Sequence, residues 1–238
     1  MSLRSYDLAA AAYFVAAWIG YHIYIERAGR AGRTLNGLMD RQRQVWMRRM
    51  ALRSVRIVDT QILASLQNGT AFFASASLIA LGGSLALLRG TDEALHLFAS
   101  LPLGISTSRA MWEAKCAGLA VIFGYAFFTF AWSYRLFNYS AILLGATPDK
   151  DAVPEPDILR HADAVAAMTT AAGRHFNRGQ RAFFFAIAYL GWFLGPAAFA
   201  AATSGSVLIM ARRQFRSEAL AAARRAAPDL TPDLTPRA

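Results

Sequence analysis

Charged residues fall along this chain in blocks, separated by long apolar runs. Leu8–Ile25, Asn68–Leu88, Cys116–Tyr134 and Ala182–Ala211 contain no Asp, Glu, Lys or Arg. A spanning helix needs roughly 20 mostly apolar residues, within a range of about 17–25. Helices of soluble proteins keep a polar face, and these runs have none. The pattern predicts an all-α polytopic membrane helical bundle, with four transmembrane helices plus cytoplasmic amphipathic helices. The spans are expected near 6–25, 68–88, 113–134 and 182–210, in one membrane domain over 1–216. Residues 217–238, which end in a repeated Pro-Asp-Leu-Thr, read as a mostly disordered tail.

Between the first two runs lies a basic loop, 26–67. Gly29, Gly32 and Gly37 are expected to keep its first part loose. From Leu38 to Leu66 helix formers dominate, with Trp46, Met50, Val55, Val58 and Ile62 set among arginines. This predicts a basic helix lying near the headgroups. On the second run, Ala76, Ala80 and Ser84 recur at four-residue spacing, a small face on which helices approach closely in lipid. The connection Arg89–Trp112 is short, with a turn over Leu101–Ser108 and a cap from Thr107 or Ser108.

Thr147–Asp157 carries Pro148, Pro154 and Pro156 and reads as a hinge within a second polar loop, 146–181. Ile158, Ala162, Val165, Met168, Ala172 and Phe176 then follow at helical steps and predict an amphipathic helix. The fourth run holds Gly191 and Gly195, with Pro196 directly after. A kinked, tightly packed helix is the leading expectation there. A re-entrant hairpin is the sharper alternative.

Composition agrees with a membrane protein. Of 238 residues, 55% are hydrophobic and 17% charged, against about 25% charged in soluble domains. The net charge is +10, and Lys115 and Lys150 are the only lysines. Nine arginines lie between Arg27 and Arg56, against Glu26, Asp40 and Asp59 in the same loop. The positive-inside rule puts that loop in the cytoplasm and the N-terminus outside, in a bacterial inner membrane. Nucleic acid is not an expected partner, because the charge flanks spans rather than a folded reading element. Four crossings put the tail outside, yet Arg212, Arg213, Arg216, Arg224 and Arg225 follow the last run. The hairpin alternative would bring it inside. The first run has no basic segment before it and reads as a retained span rather than a signal. With Cys116 as the single cysteine, no disulfide or cysteine-based zinc site is available.

Candidate chemistry is sparse. Arg33 with Asn36, Arg135 with Asn138 and Arg174 with Asn177 repeat an Arg-x-x-Asn pattern beside the runs. Arginine grips phosphate with two parallel hydrogen bonds. These residues, with Arg41, Arg43, Arg48, Arg49 and Arg53, form the expected lipid- or partner-binding set. Helix capping and ordinary headgroup anchoring explain the same residues more simply. The pattern also allows a doubled two-span unit, which chance explains equally well. Ala76, Ala80, Ser84, Gly191, Gly195 and Pro196 are assigned to helix packing. His22 and Glu26, one turn apart, have the spacing of a metal or proton-relay pair, with a plain helix-end contact as the simpler reading. No catalytic residue, metal or cofactor is expected. Gln67 and Asn68 are expected to bond a neighbouring helix.

Several stretches resemble one family of bacterial and plant membrane proteins, known as domain of unknown function 599. They are Arg33-Thr-Leu-Asn-Gly-Leu-Met39, Ile57-Val-Asp-Thr-Gln-Ile-Leu63, Ser65-Leu-Gln-Asn-Gly69 and Ala71-Phe-Phe-Ala74. Thr107-Ser-Arg-Ala-Met-Trp-Glu113, Tyr134-Arg-Leu-Phe-Asn-Tyr139 and His175-Phe-Asn-Arg-Gly179 belong with them. The resemblance implies a multi-span helical protein and brings no catalytic residues. The leading functional expectation is a non-enzymatic membrane protein whose arginine-rich face binds anionic headgroups or a partner protein, as an accessory subunit. A small oligomeric transporter or channel built from two parallel repeats is the alternative, and a lipid-modifying enzyme is third.

Overall fold

The computed structural model describes residues 5–100 and 108–226, with the side chains of 97–100 excepted. Among the described residues the chain is helical, without strands. The helices are α1 (Ser5–Arg30), α2 (Leu35–Ala51), α3 (Ile57–Arg89), α4 (Thr91–Ser100), α5 (Arg109–Gly145), α6 (Glu155–Leu194), α7 (Pro196–Phe215) and α8 (Glu218–Arg225). Three of them, α1, α3 and α5, are long and apolar enough to cross a membrane. The chain divides into two compact units. One takes Met1–Ile23, Phe72–Phe130 and Asn177–Met210, and the other Tyr24–Ala71, Ala131–Phe176 and Ala211–Ala238. The longest apolar runs fall mostly in the first, and all nine arginines of 27–56 fall in the second.

In the apolar unit the expected single span over 182–210 is corrected. The helix stops at Leu194, Gly195 adopts φ 130°, and Pro196 starts a new helix. Proline tolerates a first helical turn because its missing N–H has no partner there anyway. The chain then folds back on itself. A Cβ on Gly191 would meet the Ala198 carbonyl oxygen at 2.9 Å and the Ala202 Cβ at 3.1 Å. In a continuous helix these residues would be about 10 Å or more apart along the axis. The GxxxG therefore serves a hairpin, and glycine at 191 lets the two arms touch.

Aromatic packing closes the hairpin. Phe199 on α7 stacks on Trp192 at 5.0 Å and meets Tyr189 edge-on at 5.4 Å. Phe14 of α1 contacts Phe185, Tyr189 and Phe199. Such pairs contribute about 0.5–1.5 kcal/mol each beyond the area they bury. The tip is tied by polar groups. Trp192 Nε1 donates to Asp7 at 2.9 Å, and the buried Lys115 Nζ donates to the Trp192 carbonyl at 2.8 Å. A cation at the open carbonyls of a helix end is favourable. These contacts bring the Gly195 turn level with the starts of α1 and α5.

Beyond the Asp59 corner, the buried polar side chains of α3 are Thr70, Ser77 and Ser84. Ser77 and Ser84 donate back to the Phe73 and Ala80 carbonyls, so no hydroxyl is stranded in an apolar setting. Of the expected packing face, Ser84 is buried, while Ala76 and Ala80 are half-buried.

The basic unit is also more ordered than its sequence led us to expect. Loop 26–67 is the end of α1, all of α2 and the start of α3. The expected helix over 38–66 is broken between Ala51 and Ile57. The buried Asp59 accepts from Trp46 Nε1 at 2.7 Å and Arg53 at 3.1 Å, which fixes that corner. The glycines do not loosen the first part. Gly32 takes φ 68° in the α1–α2 turn, and a Cβ on Gly37 would overlap the Gly29 carbonyl. The proline stretch forms the connection between α5 and α6, where Arg56 donates to the Thr147 carbonyl at 2.6 Å and the Pro148 carbonyl at 2.7 Å. The amphipathic helix over 158–176 is the first part of α6, continuous with the next run.

The tail expectation is corrected too. Residues 218–225 form α8, whose Leu220 and Ala223 pack on Leu38, Leu35 and Met39 of α2. Gln214 Oε1 accepts from the Asn36 backbone N–H at 3.2 Å. The start of the tail thus sits against the arginine-rich segment, opposite to what four simple crossings give. Ser108 accepts from Met111 N at 3.3 Å and caps α5. Thr107, the rest of the turn over 101–107 and the Pro-Asp-Leu-Thr repeat lie outside the described residues.

Gly195→Ala is expected to lower the unfolding midpoint of the detergent-solubilised protein, by about 1–3 kcal/mol for forcing a side chain into that backbone region. Gly82→Ala, whose Cβ would enter open space, should leave the midpoint unchanged or raise it. Equal midpoints for both variants would refute the turn.

Candidate functional site

The second unit builds a charged cleft between α2 and α6. Its first wall depends on the α1–α2 turn. Thr34 precedes α2 in an extended conformation, and its Oγ1 accepts from Gly37 N at 3.1 Å. This caps the helix start. With Gly37 pressed on Gly29, Arg30 at the end of α1 comes beside Asp40, Arg41 and Gln44 on α2. The second wall is one face of α6. Asp163, Ala166, Thr170 and Arg174 recur at three- and four-residue steps, so they share that face.

Carboxylates join the two walls. Asp163 accepts two parallel hydrogen bonds from Arg48, at 2.7 and 2.8 Å. Asp40 accepts from Arg43 at 2.7 Å and from Arg174, across on α6, at 2.9 Å. Arg43 reaches Asp40 lying flat against the α6 backbone, and a Cβ on Gly173 would come within 2.7 Å of its guanidinium. Beneath them Met47, Met50, Leu63, Phe137, Val165 and Ala172 form an apolar floor for the unit.

The electrostatics follow from burial and pairing. Burial lowers the pKa of Arg43; Asp40 opposes that shift, and repulsion from Arg174 adds to it. Arg48 holds the Asp163 carboxyl below the ordinary carboxylate value, chiefly through its hydrogen bond. The cleft between the walls measures about 260 Å³. Both of its carboxylates are already taken by arginine, so its remaining charge is positive.

The nine arginines of residues 27–56 divide into two classes. Arg43, Arg48, Arg53 and Arg56 hold carboxylates or carbonyls of the protein. Arg27, Arg30, Arg33, Arg41 and Arg49 are exposed, and their guanidiniums form no hydrogen bond or ion pair among the described residues. Of the expected binding set, Arg41, Arg43, Arg48 and Arg174 come together at the cleft. Arg33 and Asn36 stand at the α1–α2 turn, Arg49 on the exposed side of α2, and Arg53 at the Asp59 corner.

The Arg-x-x-Asn pairs do not converge. Arg135 Nε donates to the Tyr139 hydroxyl at 2.7 Å, while Asn138 Oδ1 accepts from Gln67 Nε2 at 2.7 Å. Arg174 joins Asp40, and Asn177 belongs to the other unit. His22 is placed beside Arg181. Its Nδ1 lies 3.4 Å from the Arg181 guanidinium, and no group able to hold a metal forms among the described residues. Arg30, Gln44, Asp163 and Thr170 were not expected at a site. The three- and four-residue recurrence from Asp163 to Arg174 carried a signal, but their partners lie more than a hundred residues away in sequence.

Two outcomes follow from the ion pairs. Asp40→Asn strips a half-buried guanidinium of its carboxylate and should cost about 3 kcal/mol, near the lower end for breaking a buried pair. The measurement is the thermal midpoint at neutral pH, and an unchanged midpoint contradicts the arrangement. For Asp163 the folded pKa is lowered from 3.8. Its contribution is therefore complete above the unfolded value and fades as pH falls through the folded one. Asp163→Asn should reduce stability at pH 7 and flatten the loss seen below about pH 4. A parallel acid limb in wild type and variant contradicts it.

Comparison with known proteins matches no curated protein and no solved structure. A family model does match, over residues 9–219. That coverage, nearly the whole of the described chain, makes this protein a member of the family described as Protein of unknown function, DUF599.

Proposed function

We propose that this protein is a non-enzymatic constituent of the bacterial inner membrane that gathers anionic lipid on an arginine-rich cytoplasmic face. The observation that carries this reading is the split among the arginines. Five guanidiniums between Arg27 and Arg49 are exposed and spend no bond on the protein. Each is worth about 1 kcal/mol near an anionic surface.

The α2–α3 corner adds to it. Val55, Ile57 and Val58 are 66%, 68% and 64% exposed, beside Arg53 and Arg56. Branched apolar side chains among arginines suit the boundary between headgroups and acyl chains. The same reading takes α1, α3, α5 and both hairpin arms as crossings. Five crossings bring the α8 arginines to the cytoplasmic face with α2, which agrees with the α2–α8 packing and removes the conflict in the positive-inside count.

The broken fourth run was the main support for a transporter. It now has a structural explanation in the aromatic closure of the hairpin, so it no longer favours transport.

The test uses full-length protein in mixed micelles of phosphatidylglycerol and phosphatidylcholine, read by native mass spectrometry. Wild type should retain phosphatidylglycerol preferentially. Replacing Arg27, Arg33 and Arg49 together by Gln should lower that preference on the order of a hundredfold, since about 1 kcal/mol per arginine is roughly a fivefold factor for each of the three. An unchanged preference sinks the lipid reading, and a stoichiometric co-purifying protein in its place would favour an accessory subunit.

A further inference from the structure

We infer that the α2–α6 cleft is a discrete binding site for a phosphate monoester, held by Arg30, Arg41 and Arg174. The inference rests on the arginine-rich face being an anion-binding surface and adds a stoichiometric pocket within it.

Charge is the first argument. Asp40 is occupied by Arg43 and Arg174, and Asp163 by Arg48. Arg30 and Arg41 line the same space as exposed residues whose guanidiniums form no hydrogen bond or ion pair among the described residues. Five arginines against two carboxylates leave the cleft at +3. A carboxylate would occupy one guanidinium fork. A dianionic phosphate monoester offers oxygens to several forks at once, in the planar paired geometry arginine prefers.

Preorganisation is the second. Arg174 is fixed through Asp40, which is itself fixed by Arg43 lying on Gly173. Arg41 lies over Gly32, where a side chain would collide with its guanidinium. One of the three ligand-facing cations, Arg174, thus begins in place, which lowers the ordering cost of binding. Arg43 and Asp40 act as positioning residues.

Size and lining are the third. About 260 Å³ lies just under the roughly 300–1,000 Å³ of clefts for drug-sized ligands. The space suits a phosphate with a short polar substituent. Thr170 and Gln44 stand on the walls to hydrogen-bond such a substituent. Two sources share this chemistry: the headgroup of phosphatidic acid, and a soluble ester such as glycerol 3-phosphate.

The test uses the detergent-solubilised full-length protein, titrated separately with glycerol 3-phosphate and with short-chain phosphatidic acid. Phosphatidylglycerol, a diester, serves as comparison. Binding should saturate at one equivalent, with the monoester preferred over the diester. Arg30→Gln and Arg41→Gln should each weaken it about tenfold or more, as expected for losing a charged hydrogen bond to the ligand. Arg160→Gln, at the start of α6 outside the cleft and paired with Asp157, should leave it unchanged. Neither Arg30 nor Arg41 supports the fold, so these variants should keep the wild-type thermal midpoint.

Saturation by glycerol 3-phosphate identifies a soluble ester as sufficient. Saturation by phosphatidic acid alone identifies a lipid headgroup. If neither monoester saturates, or if Arg160→Gln weakens binding as much as Arg41→Gln, the pocket is overturned. The surface reading would survive that result as long as phosphatidylglycerol retention still depended on Arg27, Arg33 and Arg49.

Discussion

A carboxylate shared by two guanidiniums governs the second unit of this protein. Asp40 takes Arg43 from its own helix and Arg174 from α6. An arginine as enclosed as Arg43 is tolerated only when its charge is met. Meeting it fixes where α2 lies on α6, and the Arg48–Asp163 pair repeats the tie two turns along. With both carboxylates consumed in this way, Arg30 and Arg41, the other arginines of the cleft, form no ion pair among the described residues. The positive surface and the cleft are consequences of how the unit is held together.

The apolar unit answers a different constraint. Backbone and hydroxyl groups in a lipid setting must find partners within the protein. The hydroxyls of α3 bond back to their own helix. At the hairpin tip the Trp192 carbonyl accepts from Gly195 N and from Lys115, and the indole N–H reaches Asp7. One acid and one base are therefore placed where the chain must expose backbone to turn. Aromatic contacts among Phe14, Tyr189, Trp192 and Phe199 do the remaining work of holding α6 to α7.

Much of this was legible in the chain. Charge-free runs of spanning length mark α1, α3 and α5, because a helix in lipid needs no polar face. The steps from Ile158 to Phe176 mark the first part of α6, because one buried face imposes that period. The family motifs were legible as well. What stayed hidden depends on partners distant in sequence. Asp40 and Arg174 are 134 residues apart, and Arg48 and Asp163 are 115 apart. No spacing rule connects them. Counting charge made Asp40 and Asp59 a minority to be outvoted, whereas packing makes them the fixed points of their corners. Gly195-Pro196 was visible as a break. Whether the chain kinks or reverses there is decided by what Phe199 packs against, and that is a tertiary fact. The tail arginines, at odds with four crossings, are the feature of the sequence that the proposed fifth crossing accommodates.

Sidedness is the most direct test of the account. In a Cys116→Ala background, Arg49→Cys on α2, Arg224→Cys on α8 and Ala197→Cys beside the hairpin tip would be labelled with an impermeant maleimide, in vesicles of both orientations. The account predicts that the first two react from one face of the membrane and the third from the opposite face. Reaction of Arg49→Cys and Arg224→Cys from opposite faces, or of all three from one, would contradict it.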